Sequence, residues 1–196
     1  MVAVSNRVIH RHLDSPLLSE AFSFLENDVE AQSYLKMANI MAVKRLGYND
    51  HGPVHAKIIA GSALEIFSLL TDAVEPSSVM NGICDYEDAR LIVLLGAYLH
   101  DVGNAIHRID HEKTGVLLAS NLLDRVLLDL YDSDPGLAYR VKSEVLHALY
   151  SSDDSIPCRA SIFQIEEVIG KKIRSSGIGE LVEVTASMNG EEIKTL

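Results

Sequence analysis

The chain has 196 residues, 47% of them apolar and 23% charged, which excludes a disordered tail, a collagen-like fibre and a low-complexity linker and leaves room for one or two buried cores. Its 17 Lys and Arg stand against 28 Asp and Glu, a net charge of -11 with no basic run, so polymeric nucleic acid is not expected as a partner. The apolar stretch Leu91 to Leu99 falls well short of the roughly 20 residues that span a bilayer, and the opening MVAVSNRVIHRHLD lacks the apolar core of a secretory signal, so a cytoplasmic location without a membrane partner is expected.

Ser15 to about Leu46 reads as helix, with Ser15 as N-cap, Pro16 at the first helical position and Leu35, Ala38, Met41 and Ala42 at helical spacings. The turn cluster Gly47-Tyr48-Asn49-Asp50-His51-Gly52-Pro53 ends it, and Pro53 opens a second helix through Ile58, Ile59, Ala63, Ile66, Phe67 and Leu70. A third helix starts near Asp85 and runs from Ala89 to Val102, so apolar around its circumference that it belongs inside a helical core. A fourth spans about His111 to Tyr131 and a fifth about Leu137 to Tyr150. The expected fold class is mainly α, with an all-helical domain over residues 1–154. After that the pattern changes. Gln164 to Arg174 reads as a short amphipathic helix, Leu181 to Ala186 alternates, and Asn189-Gly190 precedes a second extended piece, Glu191 to Leu196, giving a small α+β appendage over residues 155–196. Cys84 and Cys158 lack CxxC spacing and read as reduced thiols.

Six of the eight histidines, His51, His55, His100, His107, His111 and His147, fall at the starts or ends of predicted helices, where rigid supports meet an open mouth, as a metal site requires. His100-Asp101 follows the most apolar run, and burying two ionisable groups unpaired is costly. A divalent cation held by imidazole and carboxylate removes that cost; capping of the helix end before Gly103 accounts for the pair equally well. His107 and His111, four apart, share a face if the fourth helix starts that early. Otherwise they belong to a solvated helix start with Arg108, Asp110, Glu112 and Lys113. Arg108 suits either a phosphate, bound bidentately, or an ion pair with Asp110 or Glu112. His147 reads as a core histidine or a site residue, His51 as a turn or supporting residue, and His10 and His12 carry no signal.

His55 with Ile59-Ala60 downstream, followed by Leu99-His100-Asp101-Val102-Gly103, resembles the first and central motifs of the HD-domain superfamily of metal-dependent phosphohydrolases. The runs His107-Arg108-Ile109-Asp110-His111-Glu112 and Val145-Leu146-His147-Ala148 are similar to its archaeal-type branch. The resemblance covers about residues 30 to 150, and Ser161 to Val184 resembles a small domain that follows in that branch. It implies an all-helical HD-domain core with His55, His100 and Asp101 as metal ligands. It further implies Asp101, His111 and His147 as catalytic groups, Asp101 orienting or deprotonating a water at the metal, and Arg108, His107 and Lys113 as substrate-binding groups. The implied cofactor is a divalent transition metal (Mn, Fe, Co, Ni or Zn), with Mg less suited to imidazole, and the implied partner is a small phosphorylated molecule or nucleotide. A homodimer stays open. The superfamily's closing Asp, usually in an Ala-Asp pair on a later helix, has no counterpart. Asp153 and Asp154 come too soon, and Glu166 and Glu167 fall in the tail. Either the helix bearing that ligand is lost or residues are missing between about Asp154 and Ser161, and the second is expected because losing the helix would leave a gap in the core. Two rivals stand beside hydrolysis: a di-iron oxygenase on the same scaffold, and a non-catalytic nucleotide- or metal-binding regulatory module.

Overall fold

Residues 5–151 and the backbone of 187–188 and 191–192 are described by the structure, a computed structural model. The chain divides into two compact units, Met1–Ser152 and Asp153–Leu196. The first is mainly helical, as expected. A 3-10 turn, Ile9–Arg11, leads into α1 (Pro16–Asn27), α2 (Val29–Asn39), a π-helical segment Ile40–Arg45, α3 (Pro53–Thr71), the short α4 (Ser77–Met80) and α5 (Tyr86–Leu99). A second 3-10 turn, Val102–Ala105, precedes α6 (His111–Leu130) and α7 (Pro135–Tyr150).

The caps explain most of the boundaries. Ser15 accepts the Leu18 N–H ahead of Pro16. Asp85 and Asp88 each accept the other's backbone N–H at 2.9 Å, a reciprocal cap that starts α5. Asp134 accepts the Leu137 N–H and starts α7 at Pro135, two residues ahead of the expected Leu137. The single helix expected over 15–46 is instead broken at Asp28, whose backbone is extended and whose side chain accepts the Ala31 N–H at 2.8 Å. A short carboxylate that offers the backbone this alternative partner favours a cap over a helix interior.

α5 lies among α1, α3 and α7, with Leu91, Leu94, Leu95, Tyr98 and Leu99 buried. Each such leucine contributes about 1.5–3 kcal/mol by leaving water. The Tyr98 hydroxyl donates to Glu26 at 2.5 Å and accepts from Gln32, while Lys57 pairs with Glu26 at 2.8 Å. Burial and the Glu26 carboxylate push the Tyr98 hydroxyl pKa up. The N-terminal segment, which carried no signal, is part of this core: Ile9 is fully buried, and His12 pairs with Glu65 of α3 at 2.8 Å. By length and composition alone, α3 is the one described helix that could cross a membrane. Its buried face of Ala56, Ala60, Gly61 and Leu64 and the ion pairs of Lys57 and Glu65 are those of a helix packed against other helices.

In the second unit, Ser187–Met188 and Glu191–Glu192 pair antiparallel, with Ser187 opposite Glu192 and Met188 opposite Glu191. The expected helix Gln164 to Arg174, the strand Leu181 to Ala186 and Cys158 lie outside the described residues.

Candidate metal centre

The end of α5 delivers His100 and Asp101 to one place, and the start of α3 delivers His55 to the same place. Asp101 is only 4% exposed, and both of its oxygens are engaged. Oδ2 lies 2.9 Å from His100 Nε2 and 3.4 Å from His55 Nε2. Oδ1 accepts from Asn104 Nδ2 at 2.7 Å and faces Arg108 Nη1 and His111 Nε2, each at 3.9 Å. Burial opposes ionisation of this carboxyl, but the hydrogen bonds from His100 and His55 and the His100 charge outweigh it and hold its pKa well below the usual carboxylate range. The same contest acts on His100. Burial disfavours its charged form, and the Asp101 hydrogen bond and charge more than offset that, so its pKa is raised.

One donor atom each from His51, His55 and Asp101 lies within 4.8 Å of the others. The His51 and His55 rings stack at 5.3 Å, and those of His55 and His100 lie 5.4 Å apart. His51 thus joins the ligand-type residues, beyond the turn role its position before Pro53 suggested. Its backbone N–H donates to Asn39 Oδ1 at 3.1 Å, and Asp50 Oδ1 accepts the Gly52 N–H at 3.0 Å, which fixes the loop ahead of α3. No helical spacing signalled it, because His51 lies in the loop before α3 and not on the helix that carries His55.

His51 Nδ1 faces the Asp50 carbonyl at 2.8 Å, His100 Nδ1 the Ala97 carbonyl at 2.9 Å and His111 Nδ1 the Arg108 carbonyl at 3.1 Å. An imidazole that donates through Nδ1 to a backbone carbonyl keeps an Nε2 lone pair, the arrangement that orients a metal ligand. Buried carboxylate and oriented imidazoles together fit a divalent transition metal by the chemistry of the donor set.

The remaining expected site residues divide. His111 opens α6 beside the group, and burial followed by the Arg108 charge lowers its pKa. Arg108 Nη1 donates to Asn104 Oδ1 at 3.2 Å, and its guanidinium lies 5.7 Å from the centre of the Tyr48 ring; neither Asp110 nor Glu112 takes it. His107 shares no helical face with His111, because α6 begins only at His111 after Asp110, whose φ of 57° is left-handed. The His107 side chain is exposed and accepts the Ile109 N–H through Nδ1. Lys113 pairs with Asp110 at 2.6 Å on the surface. His147 is exposed in the last turn of α7, and among the described residues no hydrogen bond or ion pair joins it to the Asp101 group. The residues that sequence reasoning missed are His51, Asn104 and Tyr48.

No family model matches the chain, and no solved structure matches it. It is 33% identical over 225 aligned residues to "Uncharacterized protein MJ1020" of Methanocaldococcus jannaschii, with 83% of this chain and 86% of that protein covered. Because 83% of 196 residues is about 163, about 62 of the 225 aligned positions have no counterpart in this chain. At that identity and coverage, the chain belongs to the family of the M. jannaschii protein.

Proposed function

We propose that the chain is a metal-dependent phosphohydrolase of the HD-domain superfamily, acting in the cytoplasm on a small phosphomonoester or nucleotide. The observation that carries this reading is the single buried carboxylate of Asp101, with His55 and His100 on one oxygen and Asn104, Arg108 and His111 toward the other. His51, His55, His100 and Asp101 would hold a divalent transition metal, which supplies a Lewis acid that lowers the pKa of a water and polarises a phosphoryl oxygen. Asp101 stays ionised, so Oδ1 would accept a hydrogen bond from the attacking water and orient it, while Asn104 Nδ2 fixes the direction of the carboxylate. Arg108 takes a phosphate oxygen and neutralises the charge that develops as the leaving group departs. A net charge of -11 repels anionic substrates at long range, so the guanidinium and the cation form the local attraction that overcomes it.

The test is a screen of nucleotides and sugar phosphates with added Mn²⁺ or Co²⁺. For the best substrate, Arg108→Ala should lower turnover about ten- to a thousandfold, roughly 1.4–4 kcal/mol, with metal content preserved. Arg108→Lys should recover part of it, because a point charge does not reproduce the bidentate fork. Equal turnover by wild type and Arg108→Ala would remove Arg108 from the mechanism, and no hydrolysis of any phosphoester would contradict the function.

A further inference from the structure

Arg108 lies 38% exposed on the open side of the Asp101 group, where a long unanchored side chain would lose much of its binding energy to rotamer freedom. Besides Asp101 Oδ1, 3.9 Å from its Nη1, two groups restrain it. Asn104, 1% exposed, accepts one of its N–H groups, and the face of the Tyr48 ring stands 5.7 Å from its central carbon. Tyr48 is itself placed by the backbone. The π-helical segment Ile40–Arg45 is capped by Leu46 and followed by Gly47, whose φ of 72° only glycine adopts freely, and the Tyr48 N–H then closes onto the Ala42 carbonyl at 2.9 Å. Tyr48 remains 54% exposed, so burial does not account for its position.

We propose that Tyr48 is a positioning residue that holds the Arg108 guanidinium, through its ring face, as a subsite for a tetrahedral oxyanion beside the metal-binding group. The proposal rests on Arg108 as the phosphate-binding residue. A cation held over an aromatic face keeps its N–H edges free, so Arg108 can meet two oxygens of one anion without breaking its contact with Tyr48. Because the interaction uses the ring face, the phenolic hydroxyl is dispensable.

The experiment measures binding of inorganic phosphate to Mn²⁺-loaded protein by calorimetry, with Mn²⁺ affinity measured separately for each variant. Tyr48→Ala should weaken phosphate binding about two- to fivefold and leave Mn²⁺ binding unchanged. Tyr48→Phe should stay within about twofold of wild type. In an Arg108→Ala background, Tyr48→Ala should add nothing, since the residue it positions is gone. The proposal is overturned, with the Arg108 reading intact, if Arg108→Ala weakens phosphate binding while Tyr48→Ala does not. It is also overturned if Tyr48→Phe is as damaging as Tyr48→Ala, or if the two losses add. If Arg108→Ala binds phosphate as wild type does, the Arg108 reading fails and the positioning role fails with it.

Discussion

Both oxygens of Asp101 face donors, and this governs how the site titrates. His100 carries a raised pKa because the Asp101 hydrogen bond and charge outweigh its burial, so a proton occupies its Nε2 to a higher pH than on an ordinary histidine. A metal and that proton compete for the same lone pair. Since the folded-state pKa lies above the usual histidine value near 6.5, competition is strongest below it and fades as pH rises through it. His111 is shifted the other way and competes little. Mn²⁺ affinity should therefore climb between about pH 6 and 8 by up to about tenfold per pH unit while His100 is protonated. Calorimetric titration at several pH values checks this, and a flat profile over the range would remove His100 from the ligand set. His100 and Asp101 were readable in the sequence because they follow an apolar run, and Arg108 because it lies between the candidate histidines His107 and His111. Asn104 and Tyr48 were not, since an amide and an aromatic in a turn carry no spacing signal until the fold brings them to Arg108.

Among the elements, the turn Val102–Ala105 determines where α6 begins and hence where His111 stands. A Cβ at Gly103 would overlap the His111 carbonyl oxygen and lie 2.6 Å from the Gly115 nitrogen. Thr114 Oγ1 donates to the Gly103 carbonyl at 3.2 Å across the same contact. Two backbones this close leave no room for a methyl group. Gly103→Ala should therefore cost about 1–3 kcal/mol or more by forcing α6 away, and thermal unfolding should show a midpoint lower by about 2–4 °C per kcal/mol. An unchanged midpoint would mean that α6 yields freely. Helix existence was legible from apolar periodicity, and α3 and α5 start where Pro53 and Asp85 indicate. The break at Asp28 and the π-helical segment were not legible, because apolar spacing continues through both while the decision lies in a side-chain cap and a change of hydrogen-bond register.

Across the whole molecule, helix ends far apart in sequence converge on one carboxylate: the loop before α3, the end of α5, the turn behind it and the start of α6. Convergence of this kind follows from the packing of α3 on α5 and of α6 on the 3-10 turn, and no sequence window contains it. That is why His51 entered the donor group only with the fold, whereas His100-Asp101 was readable from its place after an apolar run and His55 from the resemblance. Whether this convergence holds a metal ion, as proposed, is read from metal content per chain, measured by elemental analysis on protein purified without added metal and again after Mn²⁺ loading. Wild type should hold about one exchangeable divalent ion per chain, lost in both His100→Ala and Asp101→Ala while the helical content of both variants is retained. Two irons per chain would favour the oxygenase reading, and metal content unchanged in both variants would contradict the site.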